Sequence, residues 1–190
     1  MSNQFIQGLY PGNVNPVQTS FYLRKNLMLR IGVLSDTHFL SPEDGSVFLE
    51  KLLQREFKDV DLILHAGDVV HPDSLIAFEE IPLYLVQGNM DPSQAGVPIR
   101  RIVEAGGFRI GLIHGWGAVL GLEERVMAEF ADEDLDCLVY GHSHHWVNHH
   151  QNGLLLFNPG SPTDRRGAPF HSVGILELDE DIRGHILSVD

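Results

Sequence analysis

The 190 residues carry 26 acidic against 13 basic side chains, a formal net charge of −13, so the bulk surface repels long nucleic acid and anionic membrane. At 43% hydrophobic and 21% charged residues, the chain is long enough for one domain with a sizeable core, and no apolar run reaches the ~18 residues of a membrane span. The lone cysteine, Cys137, excludes an internal disulfide framework and fits a reduced cytoplasm.

Residues 1–27 include Gly8, Pro11, Gly12 and Pro16 with little periodicity. Lacking a long apolar stretch, they make a poor signal peptide and read as a flexible N-terminal extension. Met28 would be a plausible natural start for a single domain over 28–190. An aliphatic strand at 29–34 ends in Ser35-Asp36-Thr37-His38. Apolar residues at near-helical spacing predict a helix over 43–57. A strand at 61–64 ends in His65-Ala66-Gly67-Asp68, and Pro72 opens a helix over 72–80. A third strand, 83–86, ends in Gly88-Asn89-Met90-Asp91. Alternation of strand and helix implies parallel strands with right-handed crossovers. Ligands then collect beyond the strands' carboxyl ends, where all three polar motifs fall.

From residue 99 the pattern changes. Strands 99–104 and 108–113 flank Gly106-Gly107 as a hairpin, and the second ends in His114-Gly115. A helix is expected over 121–131 and a strand over 136–140, followed by Gly141-His142-Ser143-His144. Asn152-Gly153 marks a second hairpin, leading through 154–157 to Asn158-Pro159-Gly160-Ser161, and strands 173–178 and 184–189 form a third.

Any one of these motifs has an ordinary explanation. Asp-x-His is mostly a loop accident, and Gly-Asp or Gly-Asn after a strand is commonly a turn. Two imidazoles at i and i+2 in a tight loop suit two adjacent ions, or one ion and an exposed phosphate. Their joint occurrence, in order and each at a strand end, argues against accident. Asp36, His38, Asp68, Asn89, His114, His142 and His144 are too many for one ion with open positions, and they suit two ions bridged by a carboxylate. Oxygen and imidazole donors without thiolate favour manganese, iron, nickel, cobalt or zinc.

The series Asp36-x-His38, Gly67-Asp68, Gly88-Asn89-x-Asp91, His114-Gly115 and Gly141-His142-x-His144 resembles the calcineurin-like metallophosphoesterases, from residue 29 to the end. The segment Asn158-Pro159-Gly160-Ser161, with Arg166-Gly167 downstream, is similar to the small single-domain bacterial and archaeal phosphodiesterase branch, whose shape the eukaryotic retromer scaffold subunit shares. The resemblance implies an α/β fold of two mixed sheets packed face to face with flanking helices. It assigns Asp36, His38, Asp68 and His144 to one metal and Asp68, Asn89, His114 and His142 to the other, Asp68 bridging. It further implies a metal-bridging hydroxide that attacks phosphorus in line, with Asp68, His114 and His142 at the reacting centre.

Where many members of that superfamily carry a histidine that protonates the leaving oxygen, this chain has Met90. A thioether has no proton to give. The expectation is a phosphodiesterase favouring activated esters of small substrates, with a non-catalytic metal-binding scaffold or a phosphomonoesterase as alternatives. His65 is expected to support a ligand rather than bind metal. Asp91 either orients a neighbouring group or starts a turn before Pro92. His145 and Arg166 either contact substrate phosphate or lie on the surface. Trp116 either walls the cleft or packs. His71, His149, His150, His171 and His185 are assigned no role.

Overall fold

In the computed structural model the described residues are 28–93 and 96–190; the expected N-terminal extension lies outside them. Among the described residues ten strands form two five-stranded sheets. The first sheet has β1 (Leu29–Leu34), β2 (Leu62–His65) and β3 (Leu83–Leu85) in parallel. β9 (Ser172–Leu178) runs antiparallel beside β1, with β10 (Ile182–Ser188) outermost. The second runs in the order β4 (Arg100–Ala105), β5 (Phe108–Ile113), β6 (Cys137–Val139), β8 (Leu154–Asn158) and β7 (Val147–Gln151). β5, β6 and β8 are parallel within it, and β4 and β7 close its edges antiparallel.

The aliphatic strand residues explain the layering. Alternate side chains such as Ile31, Val33, Leu62, Leu64, Ile110, Leu112, Cys137, Val139, Leu155 and Phe157 point between the sheets and form one buried cluster. The opposite face of the first sheet is covered by α1 (Pro42–Gln54) through Leu49 and Leu52, and by a 3-10 helix (Pro72–Phe78) through Leu75 and Phe78. α2 (Leu122–Ala128) covers the second sheet with Leu122 and Val126. Ser41 caps α1, its hydroxyl accepting from Asp44 N–H at 3.1 Å, and Pro42 takes the first helical position.

Two expected helices differ from those formed. The stretch expected as a helix over 72–80 closes i→i+3 bonds, with Ser74 N–H to the His71 carbonyl at 3.0 Å and Glu79 N–H to that of Ile76 at 3.1 Å. The Ser74 hydroxyl adds a bond to the same His71 carbonyl at 2.7 Å, tightening the turn. The helix over 121–131 stops after Ala128, where Phe130 N–H turns back to the Met127 carbonyl at 3.0 Å. Among the described residues no helix is long and apolar enough to cross a membrane.

Candidate metal centre

The carboxyl ends of β1, β2 and β3 in one sheet and of β5 and β6 in the other meet at one end of the sandwich. Loops there are laced together by main-chain bonds: Asp36 N–H to the Gly67 carbonyl at 3.0 Å, His38 N–H to that of Asp68 at 3.2 Å, and Gly141 N–H to that of His114 at 3.0 Å. Five of the seven expected ligands, Asp36, His38, Asp68, His142 and His144, have left-handed backbones, with φ of 53°, 36°, 56°, 70° and 60°. Each costs about 1–2 kcal/mol, so the loops are held in these conformations by their surroundings. Two glycines make the crowding possible. A Cβ on Gly88 would lie 2.1 Å from Asp68 Oδ1, and one on Gly141 would lie 1.8 Å from Ser35 Oγ.

One group of donors surrounds Asp36 Oδ1. The other oxygen, Oδ2, accepts from the Ser35 hydroxyl at 2.6 Å and from His142 N–H at 2.9 Å. Oδ1 faces His144 Nε2 at 3.3 Å and His38 Nε2 at 3.9 Å, and His38 Nε2 lies 3.4 Å from Asp68 Oδ2. Asp36 Oδ1, His38 Nε2 and His144 Nε2 are all buried without a hydrogen-bond partner. Such atoms are costly to leave bare, and together they form an oxygen–nitrogen nest for a cation. His144 Nδ1 donates to the Asp164 carbonyl, which aims Nε2 inward.

A second group surrounds Asn89 Oδ1. His114 Nδ1 donates to the Ala66 carbonyl at 2.7 Å, and its Nε2 donates to Asn89 Oδ1 at 3.2 Å and lies 3.4 Å from Asp68 Oδ2. His142 Nε2 lies 2.8 Å from the Gly117 carbonyl, and its Nδ1 2.9 Å from the same Asn89 oxygen. Two ring nitrogens, an amide oxygen and a carboxylate thus converge, and Asp68 borders both groups. Asp68 Oδ1 is occupied by Met90 N–H at 2.8 Å, which leaves Oδ2 facing inward.

The electrostatics are those of an anionic nest. Burial opposes ionisation of Asp36, but His144 and His38 outweigh it and hold the carboxyl far below the ordinary range. Burial likewise opposes Asp68, and His114 outweighs it, so that carboxyl is lowered too. The Asp36 carboxylate raises His38, and Asp68 raises His114 against its burial. Without metal, protons on these imidazoles balance the carboxylates.

The chain resembles known proteins in sequence and in fold. The calcineurin-like phosphoesterase superfamily domain matches residues 29–181. The chain belongs to that superfamily. A probable metallophosphoesterase of Methanothermobacter thermautotrophicus is 39% identical over 151 residues, 78% of this chain and 86% of that protein. The crystal structure of a conserved uncharacterized protein of Streptococcus pneumoniae, titled a predicted phosphoesterase, superposes with a TM-score of 0.68 at 26% identity, covering 85% of this chain and 90% of that one. Vacuolar protein sorting 29 of Cryptosporidium parvum gives a TM-score of 0.62 at 21% identity, over 86% of this chain and 100% of that one. At that identity the likeness is one of fold.

Around this calcineurin-like centre, other sequence-selected residues take distinct places. His65 is fully buried, its Nδ1 accepting from Gly67 N–H at 3.2 Å and its Nε2 lying 3.1 Å from Thr37 Oγ1. Burial pushes its imidazole down to about 4. Asp91 accepts from the main-chain N–H groups of Asp68 at 2.9 Å, Gly88 at 2.8 Å and Val70 at 2.8 Å. Met90, 59% exposed, sits at the rim, as does Trp116. Arg166 pairs with Asp164 at 3.5 Å and is half-exposed, and His145 is exposed beside Gly167. Of the histidines assigned no role, His149 and His185 reach Glu123 and Glu177 at 3.2 and 3.3 Å, and His171 reaches Asp190 at 2.6 Å.

The sequence reading did not identify several supports. The Ser161 hydroxyl donates to the Asp36 carbonyl at 2.7 Å and that of Thr163 to the Thr37 carbonyl at 2.6 Å. The Asn158 amide donates to the Gly141 carbonyl at 3.0 Å and to Ser143 Oγ at 3.1 Å. The Asn158-Pro159-Gly160-Ser161 segment was visible in sequence; its long-range partners were not.

Proposed function

We propose that this metallophosphoesterase-family chain is a cytoplasmic phosphodiesterase that works with two divalent transition-metal ions, manganese first among them, on small phosphate esters. The observation that carries the reading is the convergence of Asp36 Oδ1, His38 Nε2 and His144 Nε2, buried and unpartnered, beside Asp68. Asp36, His38, Asp68 and His144 would hold one ion; Asp68, Asn89, His114 and His142 would hold the other. Bound there, such ions supply Lewis acidity toward phosphoryl oxygens and an acidified water as nucleophile.

The chain's own residues prepare that chemistry. Asp36 and Asp68 stay ionised, giving fixed negative charge to bind cations. The carbonyls of Ala66, Gly117 and Asp164 each accept from one imidazole nitrogen, so the opposite nitrogens of His114, His142 and His144 face inward. Asp91 and His65 hold the loops that carry Asp68 and Asp36. Arg166, paired with Asp164, and the exposed His145 beside Gly167 would contact the anionic ester. Met90 supplies no proton to a leaving group, which favours esters whose leaving oxygen needs none. A monoester carries one more negative charge toward a protein of net charge −13, and the same balance disfavours long nucleic acid.

A scaffold reading draws on the fold likeness to vacuolar protein sorting 29. The full set of seven metal-competent side chains favours the enzyme. The test is hydrolysis of an activated aryl phosphodiester, beside its monoester, by metal-stripped protein resupplied with manganese. Diester turnover that vanishes in Asp68→Ala is expected, with Met90→His extending activity to poorer leaving groups. Two ions bound per chain without turnover under any transition metal would support the scaffold.

A further inference from the structure

The segment between β5 and α2 is unusual for a loop beside a metal centre. Residues 116–120 are all exposed and belong to no strand or helix, and Trp116, Val119 and Leu120 are 41%, 60% and 90% exposed. Side-chain burial therefore does little to order it. Its carbonyls are instead gathered by one side chain from α2. Arg125 donates through Nε and Nη2 to the Trp116 carbonyl at 3.1 and 2.9 Å, through Nη1 to that of Leu120 at 3.2 Å, and through Nη2 to that of Ala118. Among the described residues no carboxylate stands in ion-pair contact with this guanidinium. Its hydrogen bonding is directed at the loop.

The Trp116 and Ala118 carbonyls flank Gly117, whose own carbonyl accepts from His142 Nε2 at 2.8 Å. That bond fixes the direction of the imidazole, whose Nδ1 stands 2.9 Å from Asn89 Oδ1. Gly117 itself has φ of 79°, a conformation open to many alternatives in a glycine that nothing restrains. A planar fork of five donors can fix several carbonyls at once, which a lysine ammonium cannot do in the same geometry.

We propose that Arg125 is a positioning residue for the metal centre: by clamping the carbonyls on either side of Gly117, it holds the acceptor that sets the orientation of the His142 ring. The inference rests on the reading of His142 as a metal ligand. It assigns to α2, which carries none of the seven candidate ligands, control of one ion and not the other. The ion on the side of Asp36, His38 and His144 has its imidazole orientation set by Asp164, outside Arg125's reach.

The experiment compares wild type, Arg125→Ala and Arg125→Lys by calorimetric titration of metal-free protein with manganese, and by imidazole nitrogen spectra of the metal-free proteins, with His142→Asn identifying the His142 signals. In Arg125→Ala one ion is expected to bind as in wild type and the other at least about tenfold more weakly, the scale of losing a group that orients a metal-bound histidine. The His142 Nε2 signal is expected to move from its wild-type position as the bond to the Gly117 carbonyl is lost. Arg125→Lys, which keeps the charge and most of the stem, is expected to resemble the alanine variant. It serves alone if Arg125→Ala does not fold. Unchanged affinity for both ions with an unchanged His142 Nε2 signal, or full rescue by lysine, would overturn the proposal. A wild-type protein that takes only one ion would refute the two-ion reading, while the His142 spectra would still decide the role of Arg125.

Discussion

Removing the Asp91 side chain tests how the Asp68 carboxylate is held. Its two oxygens accept three main-chain N–H groups, those of Asp68, Gly88 and Val70, at 2.8–2.9 Å. Hydrogen bonds to a charged acceptor contribute about 1.5–3 kcal/mol each, an upper sum of roughly 4–9 kcal/mol. Asp91 is only half-buried, and water can reach the Val70 amide once the side chain is gone, whereas Asp68 and Gly88 are buried. The expected loss for Asp91→Ala is therefore about 3 kcal/mol, the share of the two buried amides at the lower figure per bond. Asp68 and Val70 have left-handed φ of 56° and 67°, which is strained for a β-branched residue. Without Asp91 the turn is expected to relax and take Asp68 out of register with His38 and His114. Asp91→Asn keeps an acceptor but turns an amide against an N–H, and is expected to lose about 1–2 kcal/mol. Urea unfolding at constant m-value reads the stability, and manganese titration reads the site. An alanine variant within about 0.5 kcal/mol of wild type, with unaltered manganese affinity, would refute this account.

Gly88→Ala would place a methyl 2.1 Å from Asp68 Oδ1 and 2.2 Å from Asp68 N. Manganese binding is expected to fall by at least about tenfold while the far-ultraviolet dichroism stays native. Metal binding should release protons. His38 and His114 are raised in the metal-free protein by Asp36 and Asp68, so their pairing stabilises that state below about pH 6.5 and is lost as pH rises through the raised values. A cation needs the same lone pairs, so apparent affinity is expected to rise with pH, and calorimetry in buffers of different ionisation heat should show net proton release near neutrality. His65 works in the opposite direction. Burial lowers it from 6.5 to about 4, so the unfolded chain takes the proton first. The folded state is expected to lose about 3 kcal/mol as pH falls across that window, a loss that His65→Gln should largely remove from the stability–pH curve.

The strands were legible because aliphatic runs such as 29–34 and 108–113 are bounded by polar or glycine-rich turns, and the hairpin at Asn152-Gly153 because that pair suits positive φ at both positions. The seven candidate ligands were legible because each follows a strand. The 3-10 helix was not, since apolar spacing over two turns does not separate i→i+3 from i→i+4 closure. Left-handed backbone at Asp36, His38 and Val70 was also hidden, because no property of an isolated aspartate, histidine or valine announces it. The partners of Asp91 and Arg125 are main-chain groups, and main-chain groups carry no residue-type pattern. The sequence spacing therefore pointed to the donors of the centre while leaving most of its supports unseen.

The order of the strands has a consequence for how a cell would make this protein. β1 lies between β2 and β9, and the loop after it is pinned at the Asp36 carbonyl by Ser161, 125 residues further along, and at the Thr37 carbonyl by Thr163, 126 residues further along. A nascent chain can pair β1 with β2 early, but the Asp36 loop has no settled shape until Ser161, Thr163 and β9 have left the ribosome. Loading of the centre then belongs to the finished polypeptide, and a fragment that stalls before residue 161 would carry Asp36, His38, Asp68, Asn89, His114, His142 and His144 without the frame that brings them together.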